Sequence, residues 1–158
     1  MAATALLSAL TVAPLMAQPA PSDRQRIDST GNCPGCFLTA TNLRYRYLSG
    51  ANLAGADLRN SDLTFTNLSN ADLSGANLAG VSLERANLSG ANLSGANLSR
   101  ASLAQANLAN ANLDGARLAE ASLVGARTPG ISAEGTILCY ATLPNGQQSV
   151  QGCPLFPQ

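Results

Sequence analysis

The sequence contains no lysine, no histidine and no tryptophan, and only three phenylalanines and three tyrosines. Each gap removes a class of function. Without histidine there is no side chain whose ordinary pKa lies near neutrality, no Ser-His-Asp triad and no His-containing zinc site. Charge is also scarce: 11 % of residues are charged, against about 25 % in an average domain. Nine arginines balance nine acidic residues, so the net charge is zero and the basic excess expected of a nucleic-acid binder is missing. So few rings also rule out a core built on aromatics. A length of 158 residues suits one domain.

What is present is a period. Leucine recurs at every fifth position from Leu38 to Leu123, 18 times in succession. Two residues before it stands Ala in 12 of the 18 units; between them Asn occurs nine times, Asp three times and Ser three times. Two residues after it Gly occurs eight times, as at Gly50, Gly75 and Gly95. Five residues advance 500° on an α-helix, which would scatter the leucines around every face. On a strand of period two they would alternate sides. A chain that turns once per five residues resolves both conflicts. Leu and Ala then point inward, the intervening polar residue points out, and Ser-Gly makes the corner, where Gly tolerates positive φ.

This unit, Ala-Asn-Leu-Ser-Gly, closely resembles the pentapeptide-repeat family, whose pattern is Ala-(Asp/Asn)-Leu-x-x. The match runs from Cys36 to about Gly125. The resemblance implies an all-β fold, a right-handed quadrilateral β-helix with four repeats per coil and a single domain with Cys-containing caps. Residues 20 apart become vertical neighbours, so Leu38, Leu58, Leu78, Leu98 and Leu118 form one column and Leu43, Leu63, Leu83, Leu103 and Leu123 another. Outward Asn side chains can stack as amide ladders. Departures mark particular places. Arg46 takes an inward Ala position in the first coil, where an open end lets its guanidinium reach solvent. Arg117 replaces an outward Asn. Phe65 sits at a corner and, with Tyr45 and Tyr47, is a candidate contact patch, although isolated exposed aromatics usually mean little.

The ends carry their own signals. No charged side chain precedes Asp23, and Ala2–Ala17 is an apolar run with Leu6, Leu7, Leu10, Val12 and Leu15. It is shorter than the roughly 20 residues a bilayer span needs and suits a secretory signal peptide ending at Ala17. The missing basic segment suggests a true start further upstream. The expected organisation is a signal peptide (1–17), a linker (18–32), the repeat solenoid (33–127) and a C-terminal cap with a hairpin (128–158). Four cysteines behind an export signal read as disulfides. Cys33-Pro-Gly-Cys36 resembles the opening of an exported, cyanobacterial-type subgroup, with both residues in inward register. After Leu123 the pattern fades at Thr128-Pro129-Gly130. Leu143-Pro144-Asn145-Gly146 then signals a turn, after which Gln147–Gln151 can return antiparallel. The ending resembles the subgroup's tail and implies a Cys139–Cys153 disulfide that caps the last coil.

No phosphate-binding loop followed by a helix exists, and Asp57, Asp62 and Asp72 lie at outward positions on different faces, unlike a paired-carboxylate site. No cofactor or metal is expected. Asn-Leu-Ser at Asn67, Asn87, Asn92 and Asn97 arises automatically from the repeat and carries no information about glycosylation. The leading functional expectation is a non-enzymatic exported scaffold, in the periplasm, thylakoid lumen or extracellular space. Its partner would be a protein not identifiable from sequence, with no nucleic acid and no membrane span after signal cleavage. Homodimerisation through an end is common in the family, and a disulfide cap would oppose it. One alternative is thiol–disulfide redox chemistry at Cys33 and Cys36, a pair with the two-residue spacing of such enzymes. Another is DNA mimicry against DNA gyrase, known in the family but requiring a strongly negative rod. A flat face binding ice or carbohydrate is weaker still, with only Thr41, Thr64 and Thr66 to form an array.

Overall fold

A computed structural model describes residues 22–153; the expected signal peptide lies outside them. One helix, α1 (Asp23–Thr30), precedes the repeat. From Cys33 onward the backbone alternates a single bridge residue with a two-residue turn every five positions. Eighteen parallel bridges each join a residue to the one 20 further on, from Phe37–Asp57 to Ser122–Thr142. An offset of 20 with a period of five means four repeats per coil, so the chain forms a right-handed quadrilateral β-helix.

Four backbone hydrogen bonds build each unit, one of them from the corner N–H to the next coil, as Arg85 donates to the Ala104 carbonyl at 3.0 Å. The Leu N–H donates to the outward residue of the next coil, as Leu83 does to the Ser102 carbonyl at 2.7 Å. The outward N–H donates back to the coil before, as Ser102 does to Val81 at 2.9 Å. The corner closes when the residue three after Leu donates to the Leu carbonyl, as Ala86 does to Leu83 at 3.0 Å. The residue two after Leu must then adopt positive φ, which suits Gly; Gly90, for instance, has φ 67°.

The interior follows the expected division. The repeat leucines from Leu38 to Leu123 and the alanines in the inward slot two residues before them, with Ala126, are buried in one continuous core. At three places where the Ala slot holds a buried hydroxyl, a backbone carbonyl one coil back accepts from it: Ser61 Oγ donates to Leu38 (2.6 Å), Thr66 Oγ1 to Leu43 (2.8 Å) and Thr136 Oγ1 to Leu113 (2.7 Å). A buried hydroxyl left unpaired would cost about 1–3 kcal/mol. Amide ladders form outside, with Asn107 Nδ2 donating to Asn87 Oδ1 at 3.1 Å and Asn87 Nδ2 to Asn67 Oδ1 at 3.3 Å.

Two boundaries differ from the sequence-based expectation. The stretch expected as a linker contains α1, an addition to the all-β solenoid. Its start is set by a capping box in which Gln25 N donates to Ser22 Oγ and Ser22 N to Gln25 Oε1. The Ser-x-x-Gln pattern that signals such a box is visible at Ser22–Gln25. The solenoid also does not stop at residue 127. Arg127, Ser132, Ile137 and Thr142 all bridge to the coil below. Pro129-Gly130 is a corner rather than a break: Pro presets the φ needed at the first turn residue, and Gly130 takes the positive φ of 68°. Beyond the Asn145-Gly146 turn, Gln148 pairs antiparallel with Thr142, so the hairpin return lies where a further coil would begin.

Leu83 sits mid-stack and is fully buried. Leu83→Ala should cost about 2–5 kcal/mol, read as a lower urea midpoint. The same change at the last leucine of the unbroken run, Leu123, should cost less, because fewer neighbours surround it.

Candidate functional site: an aromatic corner and two closed ends

The four faces differ in what their corners carry. On the corner that follows Leu43, Leu63, Leu83 and Leu103, the positive-φ column reads Tyr45, Phe65, Arg85, Gln105. The Tyr45 and Phe65 rings stack with centroids 5.1 Å apart and planes 5° from parallel, a separation close to the spacing between adjacent strands. The Arg44 guanidinium lies 5.4 Å from the Tyr45 ring centre, and that of Arg85 lies 5.5 Å from Phe65. Arg85 Nε donates to Gln105 Oε1 at 2.8 Å, and Arg44 pairs with Asp62 at 3.3 Å. The result is a ladder of planar groups along one edge of the solenoid. Tyr45 is 62 % exposed and Phe65 39 %.

Tyr45 (φ 58°) and Phe65 (φ 60°) hold the left-handed backbone that other units give to Gly or to residues such as Asn60, Arg85 and Glu120. For a non-Gly residue this conformation costs on the order of 1–2 kcal/mol. Neither ring is buried in the core, so packing inside the coil does not explain the substitution. Of the three aromatics expected to form a patch, the structure joins Tyr45 and Phe65. Tyr47 is 89 % exposed and stands on the next face, in the outward column above which Asn67 follows. Arg44 and Arg85 complete the ladder and were missed by the sequence reading. The signal for Arg85 was the 20-residue column, which relates it to Phe65 and Tyr45 as directly as it relates the leucines, and Arg44 precedes Tyr45 in the chain.

The N-terminal end is closed by α1 and a disulfide. Ile27 is fully buried in the core cluster and acts as the plug of the first coil. The helix is tied down by Asp23 Oδ2, which accepts from Phe37 N (2.8 Å), and by Arg24 Nη1, which donates to the Asn42 carbonyl (3.1 Å). Arg46 reaches out of its inward slot to Asp28 at 2.7 Å, so the end-cap expectation acquires a defined partner. Asn32 Oδ1 accepts from Asn52 N at 2.7 Å and begins the outward ladder. Cys33-Pro34-Gly35-Cys36 is itself a corner, with Gly35 at φ 66° and Cys36 N bonded to the Cys33 carbonyl.

Cys33 and Cys36 form a disulfide across that corner, and both residues are buried (0 % and 1 % exposed). Asp23, Cys33 and Cys36 bring ligand atoms within 4.8 Å of one another, but the disulfide leaves no thiolate to bind a metal. At the other end Cys139 is bonded to Cys153, pinning the return strand to the last coil. Among the described residues no helix is long and apolar enough to cross a membrane.

Three outward carboxylates, Asp57, Asp62 and Asp72, are held below the usual range; at Asp62 burial opposes the shift and is outweighed by hydrogen bonds from Thr64 and the neighbouring Arg44. Asp57 is lowered first by its hydrogen bond from Arg59, with Arg59 Nη2 at 2.7 Å. Asp72 is lowered first by hydrogen bonding from Ser74 and also by Asn92. A depressed folded pKa stabilises above the unfolded value and loses that contribution as pH falls through the folded one. Stability should therefore decline on acidification below about pH 4. Asp72→Asn, which copies the Asn at positions 52 and 92, should flatten part of that decline in unfolding curves across pH 2–6. Removing the terminal disulfide in Cys139→Ser/Cys153→Ser frees a 14-residue separation and should cost about 3 kcal/mol, measured by denaturant midpoint with the first disulfide intact.

Comparison with known proteins agrees with this geometry. The family model for pentapeptide repeats matches in eight copies over residues 36–75, 66–103 and 96–127. The solved pentapeptide repeat protein Rfr23 from the cyanobacterium Cyanothece 51142 shares 35 % identity over 73 % of this chain and 96 % of its own, with a TM-score of 0.58. A pentapeptide repeat protein of the Arabidopsis thaliana thylakoid lumen shares 30 % identity over 58 % of this chain and 64 % of its own, with a TM-score of 0.57. Among curated proteins none matches significantly. The repeat, its four-sided coil and these similarities establish that the chain belongs to the pentapeptide-repeat family.

Proposed function

We propose that this protein is an exported, non-enzymatic scaffold that engages a protein partner through the Tyr45–Phe65 corner. The observation that carries this reading is the stacked, exposed ring pair in backbone positions that favour glycine. The corner imposes positive φ on whichever residue stands there, and neither core nor turn calls for an aromatic ring at that place, which points to a surface role for the pair. Aromatic and Arg side chains are also the residue types most enriched where partners bind tightly. The proposed partner contacts the outer edges of the ladder, since the ring faces are occupied by each other and by the two guanidinium groups.

Export to an oxidising compartment is supported by two disulfides and by the thylakoid-lumen origin of one relative. Periplasm, thylakoid lumen and extracellular space all meet that condition. The redox alternative at Cys33 and Cys36 is disfavoured by burial, because exchange requires an attacking thiolate to reach a sulfur. DNA mimicry is disfavoured by charge: Asp57 is paired with Arg59 and Asp62 with Arg44, so no continuous negative face is left along these columns.

Two measurements test the reading. Intact mass of the secreted full reading frame, with and without alkylation, should show loss of residues 1–17 and four unalkylatable cysteines; a full-length chain with four reactive thiols would overturn export. Affinity capture from the native extract should then be compared between wild type and Tyr45→Gly/Phe65→Gly. The double variant should fold at least as stably, since it relieves positive-φ strain, and should lose its specific partner by on the order of tenfold, the effect of about 1.4 kcal/mol. Equal recovery by both proteins would remove the corner from the interface.

A further inference from the structure

We propose that the N-terminal rim of the solenoid holds a strand-accepting edge at Tyr47, and that its occupant is an extended, acidic peptide segment of a partner protein. In each coil the outward residue turns its N–H and C=O toward the coil before, and the residue after Leu turns its C=O the same way. Asn67 N donates to Arg46 O (2.9 Å), and the Asn67 and Ser69 carbonyls accept from Leu48 N and Gly50 N at 2.8 Å each. The first coil has no coil before it, so these groups need other partners. On the Asn52 face all of them find one: Asn52 N donates to Asn32 Oδ1, and the Asn52 and Ala54 carbonyls accept from Cys33 N and Gly35 N. On the Phe37 face Asp23 Oδ2 accepts from Phe37 N, and on the Asn42 face Arg24 Nη1 donates to the Asn42 carbonyl. The Tyr47 face is different. Among the described residues Tyr47 N, Tyr47 O and Ser49 O have no hydrogen-bond partner. An uncovered edge is a template for pairing, and adding a strand to it is a recurring mode of peptide recognition.

The chain leaves room for such a strand. Between α1 and this edge runs a groove of about 400 Å³, lined by Ile27, Asp28, Gly31, Arg46, Tyr47 and Leu48 among others, within the size range of ligand clefts. Tyr45 and Tyr47 stand exposed beside it. A second copy of the protein would bring its own α1 to the same place, whereas a single strand needs only one strand spacing, about 4.8 Å.

Charge identifies the kind of strand. Asp28 is shared by two guanidinium groups, Arg24 at 2.8 Å and Arg46 at 2.7 Å, so the cluster retains one positive charge. Arg46 reaches Asp28 through Nη2. Among the described residues its Nε and Nη1 have no acceptor, which leaves donors in the fork geometry that suits a carboxylate. Main-chain pairing at Tyr47 and a carboxylate beside Arg46 are thus called for at adjacent places, and an acidic extended segment supplies both. The site adjoins the Tyr45–Phe65 ladder at Tyr45 but does not rest on it, since Phe65 does not line the groove.

Fluorescence anisotropy of the secreted protein with a labelled, end-blocked peptide, Thr-Val-Asp-Val-Thr, tests the assignment. Binding should weaken on the order of tenfold or more when every peptide nitrogen is methylated, because the donors to Tyr47 O and Ser49 O are lost. Arg46→Ala restores the residue that most units carry in that slot. It should weaken the acidic peptide on the order of tenfold and leave the neutral counterpart, Thr-Val-Asn-Val-Thr, unchanged. Phe65→Gly should bind the peptide as wild type does, which separates this site from the ladder. In hydrogen exchange the Tyr47 amide should be fast in the free protein and on the order of tenfold slower with peptide, while the mid-stack amides of Leu98 and Leu103 do not change. Slow exchange of Tyr47 without peptide would show the edge already paired and overturn the proposal. No binding up to about 1 mM peptide, undiminished binding of the methylated peptide, or equal weakening of the acidic and neutral peptides by Arg46→Ala would overturn it as well.

Discussion

Everything in this molecule depends on the hydrogen bond from each Leu N–H to the outward residue one coil later. Its 2.7–2.8 Å geometry recurs from Leu48–Asn67 to Leu123–Thr142. Because it repeats without slippage, every position in the sequence acquires a vertical neighbour 20 residues away. Leu then stacks on Leu, Ala on Ala and Asn on Asn, so one sequence pattern serves core, surface and turn at once. Stability of such an array is close to a sum of nearest-neighbour terms, and its weak points are the two ends.

Each end is handled by different chemistry. At the N-terminus α1 lays one apolar side chain, Ile27, into the core, and the Cys33–Cys36 bridge locks the first corner. At the C-terminus a hairpin turns back across two faces and is held by Cys139–Cys153. Both solutions address the unpaired strand edges that a solenoid exposes where it stops. The interior of the stack, by contrast, needs no special device, and there the deviations from the repeat can serve the surface. The Tyr45–Phe65 ladder is such a deviation, although it starts in the first coil and runs from there into the stack. It uses the coil spacing itself to bring two rings and two guanidinium groups into register.

The solenoid was legible in the sequence because its determinant is local and repeated: a five-residue unit states the inward, outward and corner roles 18 times. The pairing of Cys139 with Cys153 was similarly accessible, since a turn and a return strand lie between them. Less legible was α1. Its capping box is present at Ser22 and Gln25, but its burial depends on a solenoid end that does not exist until the first coil forms. The repeat pattern fades at Thr128-Pro129-Gly130, and its role as a corner was less legible because Pro and Gly punctuate regular structure in most folds. In a fold made of corners they are the preferred residues.

The amino-acid sequence by itself determined the coil, the identity of its core and the neutrality of its surface, because these follow from periodicity and composition. Only the tertiary structure decided which surface groups meet. Tyr45 and Phe65 are 20 residues apart and become neighbours when the coil closes, whereas Tyr47, two residues from Tyr45, is carried onto another face. It also decided that the return strand pairs along two of the four sides of the C-terminal rim, at Leu138–Tyr140 and Leu143. The reason is common to both: in a solenoid the turn sets which residues share an edge, and sequence proximity counts for less than position within the coil.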